Sequence, residues 1–116
     1  MNMKNIYMVK FSYREQKGTI DYEFQSSTES YIRIDGEKNH KLRFIGLERV
    51  VYEQFTQELI DLGVLDWKYK INVDDLDNDS WSLLLCGVDS NLFIESDVFE
   101  KDYKKLFRII KKYDLD

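Results

Sequence analysis

The sequence predicts an α+β domain, a mainly antiparallel sheet of about six strands with two helices packed on one face. Three observations point there. Short segments of period two fill the chain up to Ile45, two separate stretches repeat apolar residues at three- and four-residue steps, and a dense apolar hairpin lies between those stretches.

In chain order, Tyr7, Val9, Phe11 and Tyr13 alternate with polar or flexible neighbours. Arg14 to Gly18 breaks the run, and Ile20, Tyr22 and Phe24 then alternate with Asp21, Glu23 and Gln25. This is a β-hairpin whose second strand is one-sided, so its polar face is expected to meet water. Tyr31 to Ile34 and Leu42 to Ile45 read as a third and fourth strand around a polar turn containing Gly36. From Leu47 to Leu62 the period changes. Leu47, Val51, Phe55, Leu59 and Leu62 make one helical stripe, with Gly46 as the expected N-cap and Gly63 as the C′ residue. The segment Trp81 to Ser96 holds two short strands around the turn Val88-Asp89-Ser90-Asn91. Apolar residues occupy both faces of its first strand, so this hairpin is expected in mid-sheet. Val98 to Tyr113 reads as the closing helix, capped by Ser96 or Asp97, with Phe99, Tyr103, Leu106, Ile110 and Tyr113 as its apolar stripe. At about 100° per residue, Lys101, Lys104, Lys105, Arg108, Lys111 and Lys112 fall on the opposite side.

The order of elements from Tyr52 to Tyr113 resembles a small domain family of bacterial proteins. In that family a helix leads to a tryptophan, a variable loop, an Asp-Gly turn, an aromatic-Ser-Leu strand, a hairpin and a closing helix. The matching residues are Tyr52, Phe55, Trp67, Leu76-Asp77, Trp81-Ser82-Leu83-Leu84-Leu85, Tyr103 and Leu106. Asn78 stands where the glycine is usual, and no proline precedes the last helix. The resemblance implies the fold and carries over no activity or site.

Composition narrows the function classes. The 116 residues have room for one domain, residues 1–116, which buries roughly two-thirds of its unfolded surface. With 43% hydrophobic and 15% aromatic residues and no proline, the chain can fill a core and does not read as disordered. The richness in Lys, Asn, Ile, Tyr and Asp, without alanine, suggests an AT-rich coding genome, bacterial or phage. No run approaches the roughly 18 apolar residues of a membrane span, and the alternating start carries no signal-peptide h-region, so the expected location is cytoplasmic. Net charge is −5 but uneven: −1 over residues 1–65, −6 over 66–97 and +2 over 98–116. An acidic middle and a basic end argue against direct nucleic-acid binding and for steering of a charged partner.

Candidate chemistry is sparse. Asp75, Asp77 and Asp79 have the spacing of the first three ligands of a calcium loop. Ser80 then occupies the glycine position and Cys86 the bidentate glutamate position, so the stretch reads first as a solvated acidic loop and second as a weak metal site. His40 is the only histidine, and Cys86 the only cysteine, so neither a structural zinc set nor a disulfide can be assembled. Cys86 reads as a buried small hydrophobe. The five glycines are scattered singly and form no phosphate loop.

The expectation is therefore a non-enzymatic protein that binds another, charged protein, such as an immunity or inhibitor protein acting on a bacterial or phage-defence partner. It calls for no cofactor and no membrane. The expected contact residues are Trp67, beside the variable loop, and the outer face of the last helix, Lys101, Lys104, Lys105, Arg108, Lys111 and Lys112. Two alternatives stand beside it: a metal-dependent enzyme or metal-binding protein using the 75–79 loop, and a nucleic-acid mimic whose carboxylates imitate phosphates.

Overall fold

A computed structural model describes residues 5–15, 18–26, 30–36, 42–67, 79–97, 99 and 101–113. Among them run β1 (Met8–Glu15), β2 (Gly18–Gln25), β3 (Ser30–Asp35), β4 (Arg43–Leu47), α1 (Arg49–Leu62), β5 (Ser80–Cys86), β6 (Asn91–Ser96) and α2 (Asp102–Lys112). All strand pairs are antiparallel, and the six strands form one sheet in the order β4-β3-β2-β1-β5-β6. Both helices pack on one face, giving the α+β architecture.

Alternation decides what each face contains. On the helix side, Val9 and Phe11 of β1, Tyr22 and Phe24 of β2, Ile32 and Ile34 of β3, and Leu83 and Leu85 of β5 are buried. Tyr52, Phe55 and Leu59 of α1 and Leu106 and Ile110 of α2 close over them. Phe24 and Phe55 stack with ring centroids 3.9 Å apart, and Tyr113 meets Phe55 edge-on at 5.2 Å. Phe11 lies under α2, with Tyr103 and Phe107 at 6.2 and 6.3 Å.

On the other side, register places Phe44, Arg33, Glu23, Lys10, Leu84 and Phe93 in one row across all six strands. A second row holds Asp35, Asp21, Ser12, Ser82 and Glu95. The Ser12 hydroxyl donates to the Asp21 carboxylate, and Arg33 pairs with Asp35 at 3.3 Å. The polar face of β2 thus looks away from the core, as its alternation implied.

Three boundaries differ from the periodicity. The apolar hairpin is not central: β5 lies inside the sheet, β6 is its edge, and β1 takes the middle between β2 and β5. Leu84 and Cys86 lent β5 a two-sided look, but sheet position is set by which strands pair, and that does not show in one strand's own pattern. Next, Gly46 and Leu47 belong to β4, with Leu47 paired to Ser30, and α1 starts at Arg49 after Glu48. Strand pairing claims Leu47 because the last β4 bonds satisfy its backbone in the sheet. Within α1, Phe55 and Leu59 of the expected stripe are buried, Val51 and Leu62 are partly buried against the core, and Tyr52, beside Val51, is the buried position that the stripe did not contain. Finally, α2 starts at Asp102, not Val98, because Lys101 has a positive φ of 50°, outside the right-handed helical region. Phe99, outside the helix, still reaches the core by meeting Tyr103 edge-on at 4.8 Å.

Two glycines carry backbone needs. Gly63 ends α1 at φ 93°, donating its N–H to the Ile60 carbonyl, the left-handed C-cap expected of it. At Gly36, φ is 92° and an added Cβ would meet the Thr19 carbonyl oxygen at 2.0 Å, so backbone passes backbone there.

Burial of α2 yields a stability prediction. Leu106→Ala or Ile110→Ala, both at fully buried positions, is expected to cost about 2–5 kcal/mol in denaturant unfolding. Lys105→Ala on the exposed face is expected to stay within about 0.5 kcal/mol of the parent; equal losses would mean that α2 does not close the core.

Candidate functional site

The outer face of α2 follows from its sequence: one stripe is spent on the core, and the remaining positions carry Lys and Arg. Lys101, Lys104, Lys105, Arg108, Lys111 and Lys112 are all exposed. Asp102 in the first turn and Lys111 and Lys112 in the last complement the helix dipole, each by tenths of a kcal/mol.

The six cations do not act alike. Lys112 pairs with Glu58 of α1. The Lys111 ammonium lies 3.4 Å from the Tyr22 hydroxyl and 5.9 Å from the ring centroid, so its stem runs back along the sheet edge of the helix. Lys104, Lys105 and Arg108 remain as an outward ridge, with Lys101 at its leading end. Between the helices is a shallow cleft of about 410 Å³, lined by Glu58, Asp61, Leu62, Arg108, Ile109 and Lys112. The ridge therefore has an acidic rim on the α1 side and an apolar strip, Leu62 and Ile109, at its foot.

Trp67 stands elsewhere than its proposed role suggests. It is half-buried and meets Trp81 edge-on, centroids 6.3 Å apart, while Trp81 in turn contacts Tyr103 at 5.7 Å. Trp67 is thus part of the aromatic rim of the core near the first turn of α2, with only part of its surface open to a partner.

A second concavity, about 580 Å³, lies between the side of α1 that runs from Arg49 to Ile60 and the segment leading into β1. Arg49, Glu53, Gln57 and Ser26 supply its polar wall and Tyr7, Ile6, Ile60 and Val88 its apolar one. At its base the Tyr52 hydroxyl donates to the Ile6 carbonyl at 2.8 Å, tying α1 to the start of β1. Burial, and then Cys86 nearby, push that hydroxyl's pKa up. This cavity has no sequence signature, since its walls come from segments far apart in the chain and only folding brings them together.

Among the described residues no group of three His, Cys, Asp or Glu could hold a metal ion. Asp79 is exposed just before β5, whereas Asp75, Asp77 and His40 lie outside the described residues. No described helix is long and apolar enough to cross a membrane. Neither a protein-family model nor a curated protein matches the chain.

Two measurements follow. Cys86 is buried at the end of β5, and burial pushes its thiol pKa up. Labelling by a thiol reagent at neutral pH is expected to be slow until denaturant is added; rapid stoichiometric reaction of native protein would contradict this. Burial, helped by the Glu58 carboxylate, pushes the Tyr113 hydroxyl from 10.0 up to about 12. A raised folded value means the stabilisation is whole below the unfolded pKa and disappears as pH rises through the folded one. Stability is expected to fall between pH 10 and about 12, with a shallower decline in Tyr113→Phe, as read from urea midpoints against pH.

Proposed function

We propose that the protein is a non-enzymatic binding protein, of the immunity or inhibitor kind, that docks an acidic surface of another protein through the outer face of α2. The observation that carries this reading is the ridge of Lys104, Lys105 and Arg108, continued by Lys101, exposed on a chain whose net charge is −5. At physiological salt, exposed charges are screened beyond about 8 Å, so a partner at contact distance meets the ridge and not the chain's overall charge. A local cation patch of this kind raises the association rate and orients the encounter.

The rim refines the match. Glu58 and Asp61 flank the ridge, and they disfavour a uniformly anionic surface such as a nucleic-acid backbone. They favour a protein surface with its acids placed to meet α2 and clear α1. Lys111 and Lys112, engaged with Tyr22 and Glu58, contribute less to docking.

The test is a triple reversal, Lys104, Lys105 and Arg108 to Glu, in protein used to recover partners from its native host. The melting curve is expected to stay nearly unchanged, because these side chains are exposed. Recovery of the partner, and the salt dependence of its association, are expected to be lost. Equal recovery by the parent and the reversed protein would reject the ridge as the docking surface.

A further inference from the structure

Both helices cover one face of the sheet, and no described element covers the other. Its composition is ordered from edge to edge. At the β4 end Tyr31 and Phe44 lie with ring centroids 5.9 Å apart, and Phe44 is 61% exposed. At the β6 end Leu84 is registered beside Phe93, which is 59% exposed. Between these ends stand most of the charges, with Arg33, Glu23 and Lys10 in consecutive strands and Asp35 and Asp21 beside Ser12 and Ser82, while Glu95 ends the second row on β6.

This order is self-complementary. A two-fold axis parallel to the strands, between β1 and β2, brings each strand of one copy over the strand equally far on the other side of the axis. By the register, Glu23 then faces Lys10 of the second copy, Phe44 faces Phe93, Asp21 faces Ser12, Asp35 faces Ser82 and Arg33 faces Leu84. Every carboxylate in these pairs meets a cation or a hydroxyl, and the two exposed aromatic rings meet each other. Such an interface is isologous, each contact occurring twice.

From this we infer that the open sheet face is an interface for a second copy of this chain, packed sheet to sheet in a symmetric dimer. Aligned sheets pack about 10 Å apart and cross at about 30°, which displaces the outer contacts most and the Lys10 to Glu23 pairs beside the axis least. Strand and row spacings give a footprint on the order of 500 Å² per copy. The total, about 1,000 Å², is at the lower bound for a specific interface, so the dimer is of the weak, reversible kind. Dimerisation leaves α2 outward on both copies, so the dimer stands or falls independently of the role proposed for its cations.

Sedimentation equilibrium of the full chain, from about 10 µM to 1 mM, reads the association constant directly. Lys10 and Glu23 are also neighbours within one sheet, so single reversals must be separated from an effect inside the chain. Mixing achieves this. K10E and E23K are each expected to weaken association at least about tenfold, because like charges then meet across the axis. Their equimolar mixture is expected to recover parental strength, since each copy supplies the opposite charge to its partner while the pair within each chain stays broken. F93S is expected to weaken association without lowering the melting temperature, a ring already exposed having little to lose on folding. A parent that remains monomeric to about 1 mM, a mixture no stronger than either single variant, or a dimer indifferent to K10E would each overturn the inference.

Discussion

The structure depends on β1 being hydrogen-bonded along both edges. It pairs with β2 from Met8↔Gln25 to Glu15↔Gly18 and with β5 from Met8↔Cys86 to Arg14↔Ser80, so it joins the four-strand N-terminal meander to the later hairpin. Its period is two, and a slip of one residue against either neighbour would carry Val9 and Phe11 to the charged face and Lys10 and Ser12 into the core. Burial enforces the register, since Val9 and Phe11 are both inaccessible to solvent. The helices come after this choice, because Tyr103, Phe107 and Leu106 have a surface to pack on only once Phe11 and Trp81 share a face.

The helix layer divides its work by face. Buried aliphatic and aromatic side chains supply most of the holding energy, each worth roughly 1.5–3 kcal/mol when fully covered. The Phe24, Phe55 and Tyr113 rings form the joint where β2, α1 and the end of α2 meet. Surface pairs such as Arg49 with Glu53 contribute at most about 1 kcal/mol and serve mainly to keep opposite charges interspersed. Lys104, Lys105 and Arg108 on the exposed side of α2 are therefore little needed for the fold, and a binding surface built there can change without endangering it.

The outer face of α2 and the open face of the sheet are encoded at different ranges along the chain. The α2 ridge follows from helical periodicity within a dozen residues: the five cations inside α2 are exposed, as the period implies, and Lys101 is exposed just before the helix begins. What the period does not contain is their separation into a ridge and two engaged lysines, because Glu58 and Tyr22 come from distant elements. In the sequence Trp67 reads as an aromatic beside a variable loop, yet its ring lies against Trp81, a contact across 14 positions that local pattern does not encode. The open sheet face was visible only as polar alternation. Its ordered rows exist because six strands are in register, and no single strand carries that information.

The amino-acid sequence by itself determined the element types, the inward faces of the strands, the left-handed end of α1 at Gly63 and the basic outer face of α2. These are local properties, set by side-chain alternation, helical period and the freedom of glycine at positive φ. Tertiary structure alone decided that β1 and not the apolar hairpin holds the centre, that Leu47 joins β4, and that α2 waits until Asp102. Each of those is a competition between partners far apart in the chain, where backbone hydrogen bonding and burial in the assembled sheet outweigh a residue's preference for the pattern around it.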